Sequence, residues 1–343
     1  MTFSLPFESI VAEFKPPFNR AMSLKNMHLA NLIAMEAAKL LFEHDASAAR
    51  KTMWTEFFAP LAKRYRAQYQ CFDFEVADYD LYAIPQSWSL LRGPKPNIAD
   101  IASGRYLTIF GAAQLFGRYQ SVAPPSVFAD ALGLACLNFS AGGSGPESFM
   151  EEETVKLANG GRAVVLQVLS GRSIGCDEYP GTRMTFVPGD PPVKIDRLKL
   201  LRNIWSESRE EAKRLARKWQ SRYVEMMTDF LGRIEVPVVL TWISTRSADD
   251  WSADHLNDSE ECGAFPQLVD GAMVRAIAPL CAEFVEVSHD AGLPYGFKSR
   301  FTGERCPVLF PSGKLCWRND YYPSAGAGVE ISSKIKNALE SVL

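Results

Sequence analysis

Residues 105–150 read RYLTIFGAAQLFGRYQSVAPPSVFADALGLACLNFSAGGSGPESFM, and this stretch decides the fold. It contains two apolar runs, Tyr106–Phe110 and residues 134–139, and each run leads into a glycine turn. Short runs rich in β-branched and aromatic residues are typical of buried parallel strands. Because ligands of open parallel sheets bind beyond the carboxyl ends of the strands, the two turns are the first candidates for a functional site.

The same alternation continues toward the C terminus. Three more apolar runs predict strands at residues 162–169, 236–243 and 283–288. Helical patterns lie between the runs and after them, at residues 127–132, 151–159, 207–233, 265–280 and from 325 to the end. Strands alternating with helices predict an α/β three-layer sandwich around a five-stranded parallel sheet. An irregular insertion, residues 176–192, is long enough to be a lid or a binding loop.

The first 70 residues do not show the alternation of strands and helices. After a proline-broken start that we expect to be extended, residues 28–44 and 50–69 are predicted to be helices. We therefore predict an N-terminal helical extension, residues 1–70, followed by an α/β domain, residues 71–343. The extension either packs on the domain or forms a homo-oligomer or a larger assembly.

Composition excludes several classes of protein. The 343 residues carry a formal net charge of -3, which gives no strong attraction to nucleic acid or to an anionic membrane. The 7 cysteines are scattered, with no CxxC pair and no Cys/His cluster, so we expect free thiols, no metal and no cofactor. The chain shows no signal peptide and no apolar run of roughly 18 residues. We expect a cytoplasmic protein, or part of a particle released without a signal peptide.

The turns after the strands resemble the motif blocks of the SGNH, or GDSL-type, hydrolase superfamily. Its members carry Gly-Asp-Ser after the first strand, a glycine after the second, Gly-x-Asn after the third, and Asp-x-x-His before the last helix. The corresponding positions here are Gly111-Ala112-Ala113, Gly142 or Gly143, Ser170-Gly171-Arg172 and Asn319-Asp320-Tyr321-Tyr322. The resemblance implies a flavodoxin-like (SGNH-type) fold, with Ala113 in the nucleophile position and Tyr322 in the position of the base.

A closer resemblance covers residues 69–343. The segments LFGRY, LNFSAGGSGPESF, VLQVLSGRS, FPQLV and YYPS are similar to those of an uncharacterised bacterial family with an SGNH-like core and degenerate catalytic blocks. In that family a histidine often follows the YYPS segment, and residues 325–328 contain none. This resemblance therefore implies a fold but no reaction.

Other residues could supply a nucleophile and a base. Residues 171–175 fit the G-x-S-x-G pattern around Ser173, although the helix that should follow a nucleophile elbow is missing. Ser144 and Ser170 also follow predicted strands, and His289 follows the last one, where it could act as a general base. Each of these residues also has a purely structural interpretation.

Ligand-binding candidates lie beyond the same strand ends. Three arginines, Arg118, Arg172 and Arg246, could bind carboxylate, phosphate or sulfate groups, or could pair with acidic side chains of neighbouring loops. Amide and aromatic side chains suit the hydroxyl groups and the apolar face of a sugar. The remaining candidates are Gln114, Asn138, Gly143, Asn319 and Tyr322.

Two functions follow from these patterns. In the first, the chain is an SGNH-like protein that binds or acts on carbohydrate, through hydrolysis or acyl transfer on an acylated or acidic glycan. In the second, it is a non-catalytic polysaccharide-binding component of a larger surface or phage-like particle, attached through residues 1–70. The sequence leaves open whether the protein is an enzyme.

Overall fold

The chain divides into two compact units. The computed structural model describes residues 6–62, 68–84, 90–174, 178–179, 184–187, 193–252, 263–288, 291–310 and 314–343. The first unit comprises Met1–Lys95, Gly117–Val122 and Gly292–Ser324. The second comprises Pro96–Phe116, Ala123–Ala291 and Ala325–Leu343. We predicted a boundary near residue 70, whereas the first unit continues to Lys95 and takes in two later segments.

A five-stranded parallel sheet forms the centre of the second unit. Its strands are β1 Tyr106–Phe110, β2 Ala135–Asn138, β3 Ala163–Gln167, β4 Val238–Ser244 and β5 Glu283–Ser288. They lie in the order β2-β1-β3-β4-β5, and every neighbouring pair is parallel. This is the flavodoxin-like order. The five predicted strands and the α/β fold are confirmed.

Helices cover both faces of this sheet. On one face, Leu107, Ile109 and Val165 pack with apolar residues of the helices Pro124–Ala131 and Ala325–Val342. On the other face, the ring of Phe110 contacts Phe149 and Phe230, and Phe230 belongs to the helix Arg209–Leu231. Among the described residues, the remaining helices of the second unit are Ile98–Ala102, Ala113–Phe116, Pro146–Phe149, Glu152–Asn159, Gly171–Ser173, Arg197–Glu207, Ala248–Asp250, Gly271–Ile277 and Ala278–Leu280.

The insertion predicted to be irregular contains regular structure. Within residues 176–192, Met184–Val187 forms a strand. It pairs antiparallel with Val193–Asp196, which follows the insertion, and the helix Arg197–Glu207 comes next. Strands of four residues are too short for an alternating pattern to be recognised among the surrounding glycines and prolines. The helix predicted over residues 265–280 is also shorter than expected, since it begins at Gly271.

The first unit begins with helices. They are Phe7–Ser23, Met27–His44, Ala46–Thr52, the π-helix Met53–Phe58, Ala59–Ala62 and Gln68–Asp73. The prediction of an extended start was wrong, because Pro16 and Pro17 lie inside the first helix. Phe18 is buried and meets Phe57 edge to face, with ring centroids 5.2 Å apart. Burial of this apolar face outweighs the backbone hydrogen bonds that the prolines remove.

Short antiparallel strands complete the first unit. Tyr295–Gly296 pairs with Arg318–Asn319, and Val308–Leu309 pairs with Leu315–Cys316. Phe297, Cys306 and Val308 form a small core with Tyr119. Across both units, none of the described helices has the length and apolar character that a membrane crossing requires.

Candidate functional site

The turn after β1 is held by the side-chain amide of Gln167. Gln167 is the last residue of β3, and its Oε1 accepts a hydrogen bond of 2.9 Å from the backbone N–H of Ala112. Its Nε2 donates to Oε1 of Gln114 at 3.2 Å. Ala113, which starts a short helix here, is buried. One amide therefore fixes the turn that corresponds to the nucleophile block.

Polar residues continue from Gln167 across the sheet in register. Gln167 is the partner of Thr241 on β4. The register of β1 with β2 and β3, continued past Ile109 and Phe110, places Gly111 between Ser140 and Gln167. A Cβ added to Gly111 would lie 2.8 Å from Oγ of Ser140 and 3.0 Å from Oε1 of Gln167. Glycine is therefore needed where these two side chains cover the end of β1.

Two hydroxyl groups of this row retain unused hydrogen-bonding capacity. Oγ of Ser140 and Oγ1 of Thr241 are buried and have no hydrogen-bond partner among the described residues. Nε2 of Gln114 likewise makes no hydrogen bond within the described part of the chain. An unsatisfied buried polar group is unfavourable and uncommon in folded proteins. We name Gln114, Ser140, Gln167 and Thr241 the edge row.

Asn138, the last residue of β2, and the residues after it shape the second turn. Nδ2 of Asn138 donates to the carbonyl of Leu115 at 3.1 Å, and its Oδ1 accepts from the N–H of Ser140 at 3.0 Å. Gly143 is exposed with a φ of 74°, which a side chain rarely adopts. Ser144 is buried, and its hydroxyl makes no hydrogen bond to a described residue. Asn138 thus supports the turn, while Ser144 keeps an available hydroxyl.

The turn after β3 is joined to residue 267. The hydroxyl of Ser170 donates to Oε1 of Gln267 at 2.8 Å and accepts the N–H of Arg172 at 3.3 Å. The N–H of Gly171 donates to the carbonyl of Gln267 at 2.8 Å. An amide oxygen is not a general base, so this contact orients Ser170 without activating it. The side chain of Ser173 and all of His289 lie outside the described residues, so their predicted roles stay predictions.

Arg246 supports the chain that follows β4. Its guanidinium lies 4.8 Å from the ring centroid of Trp242, and burial lowers the pKa of Arg246 to about 10. The guanidinium donates to four backbone carbonyls, those of Ser247, Ala264, Pro266 and Val269. These contacts assign it a structural role, and its predicted ligand role stays a prediction.

Arg118 lies in the first unit and pairs with an acidic residue, one of the two alternatives that the sequence left open. Its Nε and Nη2 donate to the two carboxylate oxygens of Asp73, at 2.8 and 3.1 Å. Its Nη1 donates to the hydroxyl of Tyr322 at 3.0 Å. Burial raises the pKa of Asp73, while Arg118 and the hydroxyl of Tyr79 oppose that rise. Burial alone would lower the pKa of Arg118. The nearby carboxylate of Asp73 has the larger opposite effect, so the pKa of Arg118 is raised well above its ordinary value.

Further side chains of the first unit support residues 117–121 and 319–322. The buried Arg92 donates to the carbonyls of Gly117, Gln120 and Ser121 at 3.3, 2.8 and 3.1 Å. The amide of Asn319 closes the turn at residues 319–322, with Nδ2 donating to the carbonyl of Tyr322 at 2.6 Å. Arg118, Asn319 and Tyr322 therefore all have internal contacts in the first unit.

The match to a known family covers both units. A sequence profile for a domain of unknown function, DUF6473, matches residues 68–177 and 197–303, which is more than half of the chain. The chain belongs to this family. No curated protein matches the chain. The DUF6473 match includes all five strands of the parallel sheet, and also Asp73 with its partner Arg118.

Sequence reasoning missed several residues of this DUF6473 chain. Gln167, Thr241 and Gln267 were not predicted as site residues, and Ser140 was only part of a candidate turn. A signal was present, because Gln167 interrupts the apolar run AVVLQVL and a polar side chain in a buried strand needs a partner. The partners themselves, 53 and 55 residues away in sequence, are not readable from the spacing.

Proposed function

We propose that this protein is an SGNH-like carbohydrate-binding protein that binds its ligand at the Gln114 end of the edge row without serine hydrolysis, because Gln167 and Thr241 are 0% exposed. The observation that carries the proposal is the turn at residues 111–114. It holds the methyl group of Ala113 where the resemblance places a nucleophile, and the amide of Gln167 spans it. The turn is therefore organised by neutral hydrogen bonds rather than by an acid, a base or a nucleophile.

The chemistry of the edge row suits a neutral ligand rich in hydroxyl groups. Its members are two amides and two hydroxyls, and none carries a charge. Amide and hydroxyl groups both donate and accept hydrogen bonds, as sugar hydroxyls do. Arg246, the described arginine after β4, already donates to backbone carbonyls. These features support a saccharide over a phosphorylated or carboxylated ligand at this edge.

Ser144 supports a second candidate function, ester hydrolysis. Its buried hydroxyl makes no hydrogen bond to a described residue, unlike the hydroxyl of Ser170. A nucleophilic serine needs a base within about 3 Å, and His289 is the candidate that the sequence offers. An esterase assay of the wild type beside Ser144→Ala separates this function from binding alone.

The binding proposal is tested on a panel of neutral and acetylated oligosaccharides. We expect the variant Gln114→Ala to bind the best oligosaccharide about tenfold more weakly than the wild type, as for the loss of one or two hydrogen bonds. Gln120→Ala is the matched control, because Gln120 is also a buried glutamine but its amide donates to Pro323 in the first unit. Equal weakening in both variants, or no binding by the wild type, would refute the proposal.

A further inference from the structure

A small antiparallel sheet in the first unit has residues 295–299 as its central strand. On one side, the N–H of Phe297 donates to the carbonyl of Trp317 at 3.2 Å, and Gly296 is the partner of Arg318. On the other side, the N–H of Cys306 donates to the carbonyl of Phe297 at 3.3 Å, and Lys298 is the partner of Arg305. Side chains therefore alternate between two faces across three segments.

The two faces differ in exposure. On one face Phe297, Ser299, Cys306 and Asn319 are buried, while Trp317, the partner of Phe297, is half exposed. The opposite face carries Gly296, Lys298, Arg305 and Arg318, and all four are exposed. We name these four residues the basic face. It has no apolar side chain and no acidic one.

The basic face places three positive charges close together. Lys298 and Arg305 are direct cross-strand partners, and like charges in this position destabilise a sheet. The guanidinium of Arg305 extends over Gly296, with its Nε 3.5 Å from the position that a Cβ would occupy, toward the strand that carries Arg318. Within the described residues, none of the three cations has an ion pair with a carboxylate, not even with Glu304 or Asp320 beside them in sequence.

We propose that the basic face binds an acidic glycan through its carboxylate or sulfate groups. Three cations present donors to an oxyanion, and the missing side chain of Gly296 leaves room for the guanidinium of Arg305 to lie over its strand. This proposal concerns the first unit only, and it holds whether or not the edge row of the second unit binds a sugar.

The surroundings of the basic face argue against the other polyanions. A protein partner needs apolar or aromatic anchors, and a membrane surface needs apolar side chains for insertion. The four residues of this face are cations and a glycine, and the half-exposed Trp317 lies on the opposite face. Protein–nucleic acid interfaces bury about 600 Å² of protein surface or more, which needs more residues than the four of this face. A soluble acidic polysaccharide fits a small, polar and positively charged face.

The test uses the full chain and titration calorimetry with a polygalacturonate oligosaccharide. A dextran oligosaccharide of equal length serves as the neutral probe. We expect polygalacturonate to bind at least tenfold more tightly than dextran, and each of Lys298→Ala, Arg305→Ala and Arg318→Ala to weaken binding about fivefold. The triple variant should lose binding, and its melting temperature should stay equal or rise because the cross-strand repulsion is gone.

The matched control removes three exposed cations elsewhere, through Lys51→Ala, Arg162→Ala and Lys199→Ala. This control changes the net charge equally, so it should retain the wild-type affinity. Equal affinity for polygalacturonate in the two triple variants would overturn the proposal. Binding of dextran as tight as that of polygalacturonate would also overturn it. So would tighter binding of a DNA duplex, an acidic peptide or phosphatidylserine vesicles.

Discussion

Replacement of Asp73 by leucine removes the carboxylate that holds the buried guanidinium of Arg118. Asp73 is 0% exposed and Arg118 is 4% exposed, so water cannot replace the lost hydrogen bonds. Removing one partner of a buried ion pair destabilises a protein by about 3–5 kcal/mol, because the other charge stays buried. Replacing both partners by apolar residues of similar volume is often close to neutral. We therefore expect Asp73→Leu to be severely destabilised, and Asp73→Leu with Arg118→Met to recover most of the loss.

Guanidinium chloride unfolding of the wild type, both single variants and the double variant measures this coupling. Hydrogen exchange of residues 117–122 gives a local readout, because the N–H of Tyr119 donates to the hydroxyl of Tyr79, which itself donates to Asp73. Glu178→Ala is the control, since its ion pair with Lys218 is exposed and should contribute no more than about 1 kcal/mol. The reasoning is refuted if Asp73→Leu loses less than about 1 kcal/mol, or if the double variant loses the sum of the single losses.

Three further predictions follow from packing and burial. Gly111→Ala should lower the free energy of unfolding of the second unit by about 1–3 kcal/mol in denaturant unfolding, because the new Cβ would lie 2.8 Å from the nearest atom. Gly143→Ala is the control: its Cβ would have nothing within 4 Å, so the free energy of unfolding should fall by only about 1 kcal/mol. Burial raises the thiol pKa of Cys281 and of Cys306 to about 12. Both thiols should therefore react with iodoacetamide at pH 8 at least a hundredfold more slowly than a free thiol, and faster as the pH rises. Mass spectrometry of the labelled peptides measures these rates. If the first two helices and the residues between them mediate assembly, changing three exposed leucines to serine should give a smaller particle in light scattering. An unchanged particle mass would contradict a role of these helices in assembly. These leucines are Leu24, Leu29 and Leu32, which are 69%, 43% and 43% exposed.

The parallel sheet was predictable because each of its strands is a short apolar run next to a glycine or a polar turn. The helix Arg209–Leu231 was predictable as well, since Leu215, Trp219 and Tyr223 follow its buried side at helical spacing. The helix Phe7–Ser23 was not, because the two prolines inside it are a helix-breaking signal in sequence. Only the packing of Phe18 and its neighbours, which is tertiary information, overrides that signal.

The candidate site was predictable by position but not by contact. Gln114 was chosen because it follows a strand and Asn138 because it lies near the same edge of the sheet. Both take part in hydrogen bonds near the ends of β1 and β2. Arg118 was chosen for the same reason, yet its partners Asp73 and Tyr322 are 45 and 204 residues away in sequence. A single sequence does not show whether an arginine binds a ligand or pairs with a carboxylate that lies far away in the same chain.

The central claim is that the edge row binds a saccharide without hydrolysing it. Its most direct test is one NMR titration of the full chain with an acetylated oligosaccharide, which follows the side-chain amide signals of Gln114 and Gln167 together with free acetate. Both amide signals should shift on binding, and no acetate should be released. Release of acetate by the wild type, or binding that leaves both amide signals unchanged, would contradict the claim.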